Sequence, residues 1–265
     1  MQDLKPLTGA VNGRLWGARA RDWGEIQEGQ ARPAYEAIIE RTRVAKEVDY
    51  LDIGCGSGMA AQMAAARGAR VSGIDAAEAL LAIARERVPT GNFHLGDLEA
   101  LPFKAEAFDV VTGFNSFQYA ANPTVALVEA RRVARPGGTV AMMTWGLPEG
   151  MEAAAMIAVL RPLLPPPPPG APGPFALSDE DTLRRFAEGA GLTPTSVFDV
   201  PATMQYPDEA TALRGFISAG VAVRAMEHSG EQAVTEAHAK ALEAFRQADG
   251  SYRIRASYRC ILATA

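Results

Sequence analysis

Apolar and polar positions follow two alternating periods along the first half of the chain. Short apolar runs of strand length occur at 48–53, 70–74, 92–95, 108–114 and 139–145. Between them, residues 34–46, 59–67, 77–87 and 123–133 carry apolar side chains at helical spacing. Punctuation agrees with those periods: Gly68 stands just past the second helix, Pro89 just past the third, and Pro123 opens the fourth. Pro136-Gly137-Gly138 predicts a turn before the fifth strand. Strands alternating with helices predict parallel βαβ units in a sheet covered on both faces. Right-handed crossovers gather the loops at the C-terminal strand ends on one edge, where ligands bind.

The second half is less regular. Residues 151–163 predict a helix, and Pro165 to Pro169 begin a stiff spacer that runs on through Gly170-Ala171-Pro172-Gly173-Pro174. Ser178 is the expected N-cap of a helix reaching Gly189, with Asp179 and Glu180 in its first turn and Asp181 at the capping-box position. A strand at 195–204, a mostly helical stretch at 208–247 and a final strand at 251–263, entered through Asp249-Gly250, complete the order.

Composition narrows the class. The 265 residues suffice for one large α/β domain with a lid, and 48% hydrophobic with 22% charged residues is ordinary for a globular protein. A net charge of −5 speaks against nucleic acid as a partner. No apolar run reaches the roughly 18 residues of a membrane span, and the polar N-terminus lacks a signal-peptide core, so a cytoplasmic location is expected. Cys55 and Cys260 lie far apart, and the three histidines form no metal-ligand spacing with them, so no metal is expected.

The chemistry concentrates at Leu51-Asp52-Ile53-Gly54-Cys55-Gly56-Ser57-Gly58. Alternating glycines after a buried strand allow positive φ and close approach of a ligand to the backbone. A helix starting there turns its free N–H groups toward that ligand, and a nucleoside-carrying cofactor is the natural occupant. The dinucleotide fingerprint needs glycine where Met59 stands, which argues against that cofactor class. Asp75 lies about 20 residues past the loop, where a carboxylate can accept from both ribose hydroxyls, although capping the next helix is the plainer role.

Together these blocks resemble the class I S-adenosylmethionine-dependent methyltransferases, in the small-molecule branch that includes ubiquinone- and menaquinone-type enzymes. Four blocks carry the resemblance over most of the chain: the glycine loop; Gly73-Ile74-Asp75; Gly96-Asp97-Leu98-Glu99-Ala100-Leu101-Pro102-Phe103; and Phe108-Asp109-Val110-Val111-Thr112-Gly113-Phe114-Asn115-Ser116-Phe117-Gln118-Tyr119. The fold implied is α/β, a Rossmann-like doubly wound, seven-stranded, mostly parallel sheet with an antiparallel last strand and helical lid and cap insertions. It divides a single domain into lid helices at 1–33, a cofactor-binding core at 34–147, a proline-rich insertion at 148–177 and a helical substrate cap at 208–247.

The resemblance also implies roles. Gly54, Cys55, Gly56 and Gly58 cradle the methionine part of the cofactor, and Asp52 helps hold its amino group. Asp75 and Ala76 serve the ribose, Asp97 and Leu98 the adenine, and Asn115 and Ser116 the methionine end. Trp16, Arg19, Trp23 and Tyr35 are lid candidates, with helix packing the alternative for the tryptophans. The expected reaction is methyl transfer to a small apolar or aromatic acceptor at O, N, C or S. A homodimer is common among relatives. His228 and His238 are candidates for a general base, or else solvent-exposed helix positions, while His94 is expected to pack. A short-chain dehydrogenase would need Tyr-x-x-x-Lys, which is absent. The Asn/Asp-Pro-Pro-aromatic tetrad and the Pro-Cys pair of nucleic-acid base methyltransferases are absent too. A non-catalytic cofactor-binding module and a nucleic-acid or protein methyltransferase remain alternatives.

Overall fold

A computed structural model describes residues 8–167 and 173–265 of the chain. The strands are β1 (Asp49–Ile53), β2 (Arg70–Asp75), β3 (Asn92–Leu95), β4 (Phe108–Phe114), β5 (Ala134–Trp145), β6 (Thr193–Tyr206) and β7 (Tyr252–Thr264). They form one sheet in the order β3-β2-β1-β4-β5-β7-β6. The first five strands pair in parallel, and β7 runs antiparallel to both β5 and β6. This is the doubly wound α/β sheet with an antiparallel last strand that the alternation and the resemblance lead one to expect.

The core helices are α3 (Arg32–Arg41), α4 (Met59–Ala66), α5 (Glu78–Arg87), α6 (Pro123–Val133) and α8 (Glu180–Gly189). Before them come α1 (Gly9–Gly17), α2 (Ala20–Asp22) and two irregular turns, Trp23–Gln27 and Glu28–Ala31. A short α7 (Ala153–Ala158) and the trio α9 (Glu209–Ile217), α10 (Gly220–Ser229) and α11 (Glu231–Leu242) lie in the second half. Ile38, Ala61, Leu81 and Tyr50 share one apolar layer, whereas Leu51, Val111, Leu127 and Leu183 share the other. Neighbours in β1, Tyr50 and Leu51, thus fall on opposite faces, as a strand's twofold period requires. Burial on both sides is why β1 reads as an unbroken apolar run. Among the described residues, no helix is long and apolar enough to cross a membrane.

Three local expectations shift. The Pro136-Gly137-Gly138 turn is a bulge inside β5: Phe108 pairs with Ala134 and Val110 already with Thr139, so 135–138 bow out opposite Asp109. Gly137 takes the positive φ there, at +77°. The helix at 151–163 shrinks to α7 and a separate turn at Arg161–Leu163, because Pro162 has no N–H to continue a ladder. The cap of α8 is Asp179, whose side chain accepts from Thr182 N at 2.9 Å. Ser178 instead donates to the carbonyl of Trp145 at 2.7 Å, tying the segment to the end of β5. Part of the predicted proline spacer, 168–172, and the first seven residues of the predicted lid lie outside the described residues.

Candidate active site

The C-terminal ends of β1 to β5 open into one cavity of about 940 Å³, mouth included. At β1 the chain leaves the sheet through three glycines, all with positive φ: Gly54 at +73°, Gly56 at +54° and Gly58 at +82°. Only glycine holds that conformation without strain. Space is as restrictive as angle, since a Cβ on Gly54 would sit 2.4 Å from the Ser116 Cβ. Gly58, the early third glycine, makes the left-handed turn that starts α4, and Met59 is buried behind it.

The loop's amides are not left open to a ligand, as its pattern had suggested. Gly56 N–H donates to Asp75 Oδ2 at 2.8 Å, Ser57 N–H to Glu28 Oε1 at 3.1 Å, and Gly58 N–H to the Cys55 carbonyl at 2.9 Å. What faces the cavity is the bare Cα surface of Gly54 and Gly56.

Four carboxylates surround this loop, and the structure separates their positions. Asp75 closes β2, lines the cavity and accepts from Gly56 N–H and from Ala77 N–H at 2.9 Å. Burial pushes its carboxyl up, and those backbone donors oppose the rise. Asp97, beyond β3, also lines the cavity and accepts from Gly9 N–H at 2.8 Å and Glu99 N–H at 2.9 Å. Asp52 does not reach the cavity. It is still part of β1, registered opposite Thr112 of β4, and its Oδ1 accepts from the Thr112 hydroxyl at 2.9 Å. Cys55 and Gly58 likewise stand behind the wall, not on it.

Asp52 carries a testable consequence. Burial pushes its carboxyl up to about 8, against the Thr112 hydrogen bond and with help from Glu28 and Asp75. An unfolded Asp ionises near 4, so between about 4 and 8 the folded state holds the extra proton and stability falls as pH rises. Asp52→Asn keeps an acceptor for Thr112 and removes the titration. Its melting temperature should therefore decline less across that window than that of the wild type; identical slopes would refute the assignment.

Glu28 is the carboxylate that sequence reasoning missed. It is 4% exposed, lines the cavity, and accepts from Ser57 Oγ at 2.5 Å as well as from Ser57 N–H. Arg87, at the end of α5, pairs with it and also donates to the carbonyls of Gly24 at 2.6 Å and Ser57 at 3.0 Å. This buried cluster pins the irregular turns between α2 and α3 onto the glycine loop. Burial pushes the Glu28 carboxyl up, and Arg87 and Ser57 hold the rise down.

The N-terminal helix closes the cavity on the Asp97 side. Gly9, Gly13 and Gly17 form one smooth face of α1, and a Cβ on Gly13 would sit 2.1 Å from the Ala76 carbonyl oxygen. Asn12 Nδ2 donates to the Tyr119 carbonyl at 2.9 Å. Trp16 meets Trp23 edge-on at 4.8 Å and Tyr119 at 5.4 Å, and all three line the cavity with Tyr35. Arg19 does not; it pairs with Glu231 on the surface. Asn115 and Ser116, past the tip of β4, do line it. Asn115 has φ +51°, a strained value that asparagine tolerates. The Ser116 hydroxyl is buried without a hydrogen-bond partner among the described residues.

Neither histidine offered as a base reaches this cavity. His228 sits exposed at the end of α10. His238 is buried on α11, stacked on Phe216 at 5.7 Å, with Nδ1 at 2.9 Å from the Val234 carbonyl. His94 packs edge-on against Phe103. Of the apolar cap segment, none of Leu213, Phe216, Val221 or Met226 lines the cavity; its walls beyond β4 are Met143 and Trp145 of β5, Met204 of β6 and Tyr258 of β7.

Comparison with known proteins agrees with this geometry. A family described as a methyltransferase domain matches residues 51–142, from β1 into β5. Malonyl-(acyl-carrier protein) O-methyltransferase of Erwinia pyrifoliae is 30% identical over 211 residues, which cover 77% of this chain and 74% of that protein. Demethylmenaquinone methyltransferase of Chlorobaculum parvum is 39% identical over 114 residues, 39% of this chain and 46% of that enzyme, so the match spans less than half of its length. Among solved structures, the (4+2)-cyclase SpnF aligns with a TM-score of 0.60 at 21% identity over 97% of this chain and 93% of that one, a likeness of fold alone. With a glycine loop and strand-end acids placed around one cavity, the chain belongs to the S-adenosylmethionine-dependent methyltransferases.

Proposed function

We propose that this enzyme methylates a small, apolar or aromatic acceptor held beside Met143, Trp145 and Tyr258. The observation that carries the proposal is the order of side chains along the sheet edge. Acids stand at the ends of β2 and β3, the bare glycines at β1, Asn115 and Ser116 at β4, and an aromatic and thioether wall at β5, β6 and β7. A nucleoside cofactor lying across β3, β2, β1 and β4 leaves that wall for the second reactant.

The residues present suit the cofactor. Asp97 and Leu98 would hold the adenine, Asp75 and Ala76 the ribose, and Gly54, Gly56, Asn115 and Ser116 the methionine end. The orphaned Ser116 hydroxyl needs a partner, and a ligand there supplies one. Glu28, with its Oε1 3.1 Å from where a Gly56 Cβ would be, is the carboxylate placed to meet the cofactor's ammonium, the role that the resemblance assigns to Asp52. When bound, the cofactor supplies a methyl group already activated by a cationic sulfur.

The chain's own task is then to align, cover and discriminate. Trp16, Trp23 and Tyr119 exclude water from the adenosine side. Among the described residues, the ionisable side chains lining the cavity are Glu28, Asp75 and Asp97 with three tyrosines, and no lysine, arginine or histidine. That field favours the cationic cofactor over its neutral-sulfur product.

The direct test is formation of S-adenosylhomocysteine that depends on an added acceptor. Neutral aromatic acceptors should support it, and turnover only with nucleic acid or protein, or with nothing at all, counts against the proposal. Asp75→Ala should weaken binding of S-adenosylhomocysteine by about 1–3 kcal/mol, the loss expected for hydrogen bonds to a charged group. Unaltered affinity by calorimetry would reject the ribose role.

A further inference from the structure

Two hydroxyls in the acceptor half of the cavity have no hydrogen-bond partner among the described residues. Tyr258 is 2% exposed and Tyr35 is 7% exposed, and both line the cavity. Their rings are fixed by neighbours: Tyr258 lies cross-strand from Trp145 and stacks on it at 5.1 Å, and Tyr35 meets Phe114 edge-on at 4.4 Å. Of the other buried tyrosines of this layer, Tyr50 pairs with Thr112 at 2.7 Å and Tyr206 with Gln27 at 2.8 Å, whereas Tyr252 stands away from the cavity. Neither oxygen is among the sealed, unpartnered polar atoms, so both hydroxyls open onto the cavity and can bond what enters it.

From this pair, and resting on the acceptor placement proposed above, we infer that Tyr35 and Tyr258 select the acceptor. Their hydroxyls donate to an oxygen of an uncharged aromatic molecule, such as a phenol or an aryl ketone, while the Trp145 and Phe114 rings flank its plane. Burial raises both phenols well above their ordinary range, so at neutral pH they are donors and not bases. Glu28, buried close enough to Tyr35 to raise it further, opposes an anionic acceptor. Arg87 pairs with Glu28 from behind the wall, and among the described residues no cation lines the cavity itself to receive an anion. A malonyl group, the acceptor named for the Erwinia relative, ends in a carboxylate and does not meet these conditions.

The test is equilibrium dialysis of the protein saturated with S-adenosylhomocysteine against 2-naphthol, naphthalene and 2-naphthoate. The wild type should hold 2-naphthol about tenfold tighter than naphthalene, the effect of about one to two net hydrogen bonds, and 2-naphthoate most weakly. Tyr35→Phe/Tyr258→Phe should bring 2-naphthol down to the affinity of naphthalene and leave naphthalene within about twofold. Removing hydroxyls that bond no described residue breaks no contact of the fold, so the melting temperature should hold. Tightest binding of 2-naphthoate, equal binding of 2-naphthol and naphthalene by the wild type, or a naphthol preference that survives the double variant would each overturn the inference while leaving an aromatic acceptor site in place. Binding of none of the three would remove the acceptor placement, and the inference with it.

Discussion

Gly13→Ala should loosen cofactor binding by about 10- to 100-fold, although alanine is the better helix former. In an exposed helix the change would stabilise by about 1 kcal/mol. Here the new Cβ would lie 2.1 Å from the Ala76 carbonyl oxygen and 2.9 Å from its carbon, and that neighbour is backbone of the β2–α5 loop and cannot rotate away. Overpacking of this kind costs about 1–3 kcal/mol, so it outweighs propensity. The helix α1 must lift, and lifting strains the bond from Gly9 N–H to Asp97 and the bond from Asn12 to the Tyr119 carbonyl. Both sit over the proposed adenine and ribose contacts, so the strain is read as lost affinity at about 1.4 kcal/mol per tenfold. Gly17→Ala is the internal control. On the same face, its Cβ would meet Ala77 and Ala79 at 3.7 Å, an ordinary contact. Calorimetry with S-adenosylhomocysteine should separate the two variants, and equal affinities would show that α1 does not close this site.

The same helix shows what sequence reading could and could not reach. The glycine loop, Asp75 and Asp97 were legible because each follows a strand directly, and a strand end in a parallel sheet is a ligand edge wherever the chain goes next. For Asp52 the resemblance implies a hold on the cofactor's amino group, whereas the side chain here does not line the cavity. The residue is still inside β1, its side chain fixed by the register with Thr112. Gly9, Gly13 and Gly17 recur every four residues, a pattern present in the sequence, but its meaning depends on the loop after β2 that it meets. Tyr258 lay in a correctly predicted final strand. Its placement at the cavity comes from the β5–β7 register, Trp145 against Tyr258, which no local pattern encodes. His238, expected as a base or an exposed helix position, is neither exposed nor at the cavity, since burial against Phe216 uses its ring as a flat apolar surface.

Arg87→Ala should be the most destabilising single change in the site, at about 3–5 kcal/mol, because it strands a buried carboxylate. Wild-type Glu28 keeps three donor contacts, from Ser57 N–H, the Ser57 hydroxyl and Arg87, and the last of these brings the only positive charge among them. Without Arg87, the carbonyls of Gly24 and Ser57 also lose a donor. The charge explains the sign of the pH effect. Burial already raises Glu28, and Arg87 is the largest influence holding it down, so its loss raises the folded-state value further. A carboxyl raised on folding contributes stability at low pH that is lost as pH climbs through its folded value. The variant should therefore lie closest to the wild type under mildly acidic conditions and fall behind as pH rises. Glu28→Gln in the same chain removes the uncompensated charge and should restore part of the loss, giving a coupling well above the 0.3–0.5 kcal/mol scatter of independent sites. Denaturant unfolding of the four proteins at acidic and alkaline pH decides the matter. Additive effects with no pH dependence would mean that Arg87 merely fills space, and that the lid turns are held to the glycine loop by packing instead of by this ion pair.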